Sequence, residues 1–187
     1  MATTTATTTA TTMDEIFLID DFSNAQTASN GQRWQYVSDT VMGGISQGLA
    51  HHESVEGRQA LVLRGSVSLE NNGGFIQAAL DLGATGQFLN ASAAAGIAVS
   101  ITGDGRSYAL NLRTGDTQQP WQSYRCSVDT DSHWHTHYLP FTAFTPHRLE
   151  QALDTRSLRR IGLIAIGSPG AVRVAISRVA FYGDSES

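Results

Sequence analysis

The sequence predicts a single all-β domain, a sandwich or barrel of about ten strands with minimal helix. Three observations predict it. Short apolar or alternating runs recur along the chain, Gly, Asn, Asp and Ser clusters separate them, and only one short stretch has helical character. With 187 residues the chain has the size of one domain. A globule of that size buries roughly 70% of the surface its unfolded chain exposes, enough to fold without a metal or disulfide staple.

Taken in order, residues 1–13 read as a disordered Thr/Ala-rich tail, with Met13 an alternative start. They have neither the charged start and apolar centre of a secretory signal nor the arginines of a transit peptide. One domain is expected over 14–184. Its strands are expected at 15–19, 33–37, 60–65, 74–82, 96–102, 107–113, 121–128, 133–139, 160–166 and 172–182. The helical stretch is 149–153, too short to stand without packing. Gly103-Asp104-Gly105 is a hairpin signal, because Gly and Asp accept positive φ.

Alternation is clearest in two strands. Tyr108, Leu110 and Leu112 fall on one face, with Ala109, Asn111 and Arg113 on a face expected to be open. Val172, Val174 and Ile176, then Val179 and Phe181 after a change of phase, point to the core. A bulge near Ser177-Arg178 accounts for that change.

Composition narrows the partners. The chain has 17 acidic and 12 basic residues, a net charge of -5, and all its basic residues are arginine. Nothing in the sequence gathers these arginines into a stripe, so a nucleic-acid partner is not expected. Cys126 is the only cysteine, which excludes an internal disulfide and favours a reducing compartment, here the cytoplasm. No apolar run approaches the ~18 residues of a membrane-spanning helix.

Two stretches stand out, Trp34 to Ser46 (WQYVSDTVMGGIS) and Leu69 to Phe75 (LENNGGF). Each places a Gly pair beside polar side chains. Paired glycines allow positive φ and close backbone approach, so both can form shaped loops at a sheet rim. The plainer alternative is local turn chemistry, with Asn71 and Asn72 capping backbone groups.

These residues resemble a known signature. Asp39-Thr40-Val41-Met42-Gly43-Gly44-Ile45-Ser46, then Gly65, then Leu69-Glu70-Asn71-Asn72-Gly73-Gly74-Phe75 are similar to the complex I intermediate-associated protein family. Downstream, Tyr108 with Arg113, Tyr124-Arg125, Trp134 before Leu139-Pro140-Phe141 and Phe144, and Ile161-Gly162-Leu163 resemble its later strands. The resemblance implies a jelly-roll β-sandwich of the galactose-binding type. It also implies a non-catalytic, chaperone-like role in assembling NADH:ubiquinone oxidoreductase through a protein partner, such as a respiratory-complex subunit or assembly factor. Met42, Gly43, Gly44, Gly73, Gly74, Phe75 and Trp134 would then be structural motif residues. The chain departs from some relatives in showing no organelle targeting segment and no fused nucleotide-binding domain.

No catalytic constellation is visible: there is no nucleophile elbow, phosphate-cradling loop or His-Glu-x-x-His pair. No cofactor is expected. Asp20 and Asp21 face opposite ways on a strand and read as a solvated strand end or part of a calcium ligand set. Cys126 and Arg125 likewise turn apart, leaving a buried, inert thiol. His133, His135 and His137 share one face of an expected strand. They read as a solvated face or a zinc or copper site, although residues about 7 Å apart along a strand fit one ion poorly. His51-His52 is expected in a loop.

The candidate ligand- or partner-binding set is Trp34, Asp39, Asn71, Asn72, Arg113 and Arg125. Guanidinium forks and carboxamides suit hydroxyl- or carboxylate-rich ligands, which leaves a glycan or small ligand as the alternative to a protein partner. Trp34 stacks on a sugar or packs in the core. Arg113 and Arg125 either meet a ligand or pair internally with Asp39 or Glu70.

Overall fold

The computed structural model describes residues 13–184, so residues 1–12 of the expected tail lie outside the described residues. Twelve strands run in chain order: β1 Met13–Asp20, β2 Gln35–Ser38, β3 Gln47–Val55, β4 Arg58–Val67, β5 Phe75–Asp81 and β6 Gly96–Gly103. Then follow β7 Ser107–Thr114, β8 Ser123–Asp129, β9 His135–Pro140, β10 Thr145–His147, β11 Leu158–Ile166 and β12 Gly170–Asp184. Single 3-10 turns cover Asp39–Met42, Glu70–Asn72 and Phe141–Ala143. Among the described residues no helix is long and apolar enough to cross a membrane.

The strands form two six-stranded antiparallel sheets packed face to face. The first has the order β3-β4-β12-β6-β9, with β1 also on β12, and the second has the order β10-β8-β7-β11-β5-β2. One strand, β12, serves three partners. Its first half pairs with β4 up to Ile176, its second half pairs with β1 from Val179, and β6 follows it along the other edge. The register against β6 slips between Ile176 and Arg178, which is the expected bulge. The slip keeps Val172, Val174, Ile176, Val179 and Phe181 all in the core between the sheets. Opposite them lie Tyr108, Leu110 and Leu112 of β7 and Tyr124, Cys126 and Val128 of β8. Burial raises the pKa of the Cys126 thiol.

Several expectations fail for identifiable reasons. Strand β3 was not expected, because Gln47–Val55 is polar and rich in His, Glu and Ser. It is an edge strand held by β4 across a tight turn in which Glu56 (φ 45°) and Gly57 (φ 81°) are both left-handed. His51 and His52 therefore sit on a strand, bonded to the Glu53 carboxylate and the Phe22 carbonyl, each at 2.6 Å. Gly103-Asp104-Gly105 is a tight turn but no hairpin, since β6 and β7 belong to different sheets. The Asp104 carboxylate accepts from Tyr108 Oη (2.8 Å) and from Arg173 N (3.0 Å), pinning an arch between the layers. Residues 149–153 are irregular rather than helical, and Tyr124 Oη donates to the Gln151 carbonyl at 2.8 Å. Met13 is the first residue of β1 rather than the end of a tail, paired with Asp184.

Trp134 packs on the outer side of the first sheet, against Val55, Ala60, Val62 and Ala175, with the Arg58 guanidinium 5.1 Å from its ring centroid. His133 precedes β9. His135 and His137 share a face with ring centroids 6.3 Å apart, and His135 is bonded to Asp131 at 2.9 Å. Among the described residues no group of three or more His, Cys, Asp or Glu could hold a metal ion.

Candidate functional site

The two Gly-pair stretches are one structure, joined by a buried carboxylate. Ser38 caps the turn Asp39–Met42, and Gly43, at φ 86°, ends it. The chain then folds back so that Asp39, 0% exposed, reaches into the second stretch. Its Oδ1 accepts from Ser46 N (3.0 Å). Its Oδ2 accepts from Ser46 Oγ (2.5 Å), Gly74 N (2.6 Å) and Phe75 N (3.2 Å). Burial opposes ionisation of this carboxyl, but the hydrogen bonds from Ser46, Gly74 and Phe75 outweigh it and hold the pKa below the usual value.

Two glycines are required by this clasp. A Cβ at Gly44 would stand 2.5 Å from Asp39 Oδ1, and one at Gly73 would stand 2.6 Å from Oδ2. Gly44 is therefore needed for space and not, as its turn context suggests, for positive φ. Gly74 is needed for its φ of 139°.

The clasped loops form one wall of a groove of about 670 Å³ across the outer face of the second sheet. Val41, Met42, Asn72 and Gly73 line that wall, and Pro120, Trp121 and Gln122 of the β7–β8 loop line the opposite one. Strand register builds the floor. Thr145, Arg125, Asn111, Gly162, Ala79 and Gln35 form one continuous row across β10, β8, β7, β11, β5 and β2. In the next row Arg113 lies opposite Arg160, and Arg160 opposite Asp81. The outer face of β7, expected to be open, is instead the bottom of this groove, and Asn111 is only 7% exposed.

Gly162 makes the floor polar. A Cβ there would meet Gln77 Oε1 at 2.5 Å, so its absence lets the Gln77 side chain cross β11 and accept from Asn111 Nδ2 at 3.2 Å. Arg113 Nη2 donates to the carbonyls of Thr117 and Gln119, each at 3.0 Å, and fixes the β7–β8 loop. Burial, then the nearby Arg159 and Arg160, lowers its pKa to about 10. Burial and then Arg148 likewise lower that of Arg125. Asn111 Oδ1, Arg113 Nε, Ser123 Oγ and Arg125 Nε are buried with no hydrogen-bond partner in the protein. Buried polar groups are normally paired, so four unpaired atoms at one end of the groove make it the candidate site.

The structure thus brings Asn72, Arg113 and Arg125 of the expected set together at the groove. Asn71 is exposed on the adjoining loop, at φ 56°, and does not line it. Asp39 lies beneath the wall. Trp34 lies away from the groove, packing on Phe22 with centroids 5.8 Å apart, its Nε1 donating to Asp20 at 2.8 Å. Asp20 is accordingly a buried acceptor (1% exposed) and not part of a solvated strand end. Internal pairing of Arg113 or Arg125 with Asp39 or Glu70 does not occur. Sequence reasoning missed Gln77, Ser123, His147, Arg148, Arg160 and Trp121. The signal that could have found Gln77 is a lone polar residue within an apolar strand, and Trp121 was assigned to a strand although it precedes β8.

Solved structures of other proteins share this architecture. The family 11 carbohydrate-binding module of a cellulosomal cellulase of Clostridium thermocellum superposes with a TM-score of 0.71 at 14% identity, covering 96% of this chain and 99% of that one. A family 30 carbohydrate-binding module of a cellulosomal cellulase from the same organism gives 0.62 at 11% identity, covering 93% and 99%. An exo-β-agarase gives 0.59 at 12% identity, covering 92% of this chain and 26% of that one. At such identities the likeness is one of fold, and it defines the class: a jelly-roll β-sandwich similar in architecture to carbohydrate-binding modules. Residues 21–176 match the family Complex I intermediate-associated protein 30 (CIA30), and the chain belongs to that family. No curated protein gives a sequence match.

Proposed function

We propose that the protein is a non-catalytic accessory factor in the assembly of NADH:ubiquinone oxidoreductase, acting in the cytoplasm by holding a partner protein in the groove of the second sheet. Membership of the CIA30 family is the observation that carries this reading, because the matched span contains both clasped loops and the groove floor. The groove has the character of a binding surface. It offers guanidinium donors and apolar rims, and it contains no hydroxyl or thiol bonded to a base. The test is affinity capture of the tagged protein from detergent-solubilised cells of its own organism, read by mass spectrometry. Respiratory-complex subunits or assembly factors should be enriched, and a capture empty of both, with the bait folded and expressed, would sink the reading.

The likeness in fold to carbohydrate-binding modules favours a second reading, a glycan-binding module using the same groove with Trp121, 49% exposed, at its rim. Hits on a glycan array that vanish in Trp121→Ala would establish it in place of the first.

A further inference from the structure

We propose that the groove of the second sheet receives an acidic segment of the partner protein, its carboxylates gripped by Arg113, Arg125 and Arg148. This rests on the protein-binding reading above and adds the chemistry of the partner.

Charge is the first support. Four of the chain's 12 arginines, Arg113, Arg125, Arg148 and Arg160, line this one groove, and no carboxylate residue lines it, although the net charge is -5. Residues scattered through the sequence are thus gathered by the fold into the cationic patch that the sequence does not display. Arg160 is bonded to Asp81 at 2.8 Å, but Arg113, Arg125 and Arg148 have no acidic partner among the described residues. Like charges held together in a partly dry groove repel, and an anion between them relieves that cost.

Hydrogen-bond balance is the second support. Arg113 Nε and Arg125 Nε can only donate, and Ser123 Oγ can donate or accept, so the occupant must be rich in acceptors. A carboxylate accepts at both oxygens and matches the guanidinium fork. Neutral sugar hydroxyls bring donors as well, and of these four buried, unpartnered atoms only Asn111 Oδ1 and Ser123 Oγ can accept them. The rims decide between an acidic peptide and an acidic glycan. Val41 and Met42, 67% and 47% exposed, are aliphatic and suit the apolar side chains that flank acidic residues in a polypeptide. An extended sugar would find one well-exposed ring to stack on, Trp121, since Phe75 and His147, the other aromatic rings of the lining, are half-buried.

The test is calorimetric titration of the whole chain with four probes, with amide shifts of Asn111, Arg125 and Gly162 placing the contact. The probes are an end-blocked octapeptide alternating Glu and Leu, its Gln-for-Glu counterpart, an oligogalacturonate and a single-stranded oligonucleotide. The Glu peptide should bind at the groove, at least about tenfold tighter than the Gln peptide, and weaken as salt is raised from about 50 to 300 mM. Arg125→Gln should cost about tenfold, and Arg148→Gln, at an exposed rim position, should cost several-fold without disturbing the fold. Equal binding of the Gln peptide would overturn the proposal. So would binding of the galacturonate or oligonucleotide without the Glu peptide, or binding of none of the four. Capture of assembly partners that persists undiminished in Arg125→Gln would leave the protein-binding reading standing while removing this one.

Discussion

Replacing Asp39 by Asn tests the clasp directly. The carboxylate accepts four hydrogen bonds, one at Oδ1 and three at Oδ2, and all the donors come from the two Gly-pair loops. An asparagine best keeps its oxygen at the Oδ2 position, which turns its NH2 toward Ser46 N. One charge-assisted bond worth roughly 1.5–3 kcal/mol is then lost, and two donors face each other in a dry site at a further cost of about 1–3 kcal/mol. The three remaining bonds weaken with loss of the charge, giving a total of about 3–6 kcal/mol. At this chain length that lowers the melting temperature by roughly 6–24 °C. Urea unfolding across pH adds a sharper signature. Because its hydrogen bonds hold the folded pKa of Asp39 below the ordinary carboxyl value, its contribution is fully present above that ordinary value and is lost as pH falls through the folded one. The stability gap between wild type and Asp39→Asn should therefore be constant from about pH 7 to 5 and should shrink below about 4. A difference under about 1 kcal/mol at neutral pH, or a gap unchanged down to pH 3, would refute the clasp.

Other substitutions separate the parts of the site. Gly162→Ala should cost about 1–3 kcal/mol because its Cβ collides with Gln77, and adding Gln77→Ala should recover most of the loss in chemical denaturation. Arg113→Gln should destabilise by about 1–3 kcal/mol through loss of the bonds to Thr117 and Gln119. Arg125→Gln breaks no such bond and relieves repulsion with Arg148, so it should melt within about 0.5 kcal/mol of wild type or above it. Cys126, buried among core side chains with its thiol pKa raised, should react with a thiol reagent at neutral pH only at the rate of unfolding, which mixing with and without urea would show.

Legibility in the sequence followed the kind of force involved. Ten strands could be read because apolar alternation in segments such as Ser107–Thr114 and Gly170–Asp184 is a local consequence of burying one face. The bulge was visible for the same reason, as a change of phase. Strand β3 was invisible because edge position and pairing with β4, not its own residues, make Gln47–Val55 extended. Asp104 marked a turn but not its partners, since whether an arch joins one sheet or two depends on Arg173, far along the chain, as well as on nearby Tyr108. The groove was half legible. Arg113 and Arg125 stood out beside family motifs, whereas Gln77, Ser123 and Arg160 join them only through the register of four strands.

Of the residues that carry the family resemblance, those of the two Gly-pair loops build the groove wall, and only Arg113 and Arg125 belong to the arginines that would meet a ligand, which limits what membership can transfer. Asp39, Gly44, Ser46, Gly73 and Gly74 are occupied with one another, so they specify a wall and not a partner. Asn72 and Met42 project from that wall into the groove, where their contribution is shape. Specificity falls to the floor and the far rim, where Asn111, Ser123, Arg125 and Trp121 leave hydrogen-bonding atoms or apolar surface unspent. A relative with the same clasp but neutral side chains at the positions of Arg113, Arg125 and Arg148 would keep the fold and lose the preference for anions. Transplanting those three arginines into such a relative should therefore confer binding of the Glu-Leu peptide without change in the wall. Failure of that graft, in a folded protein, would mean that the charge of the groove does not choose its partner.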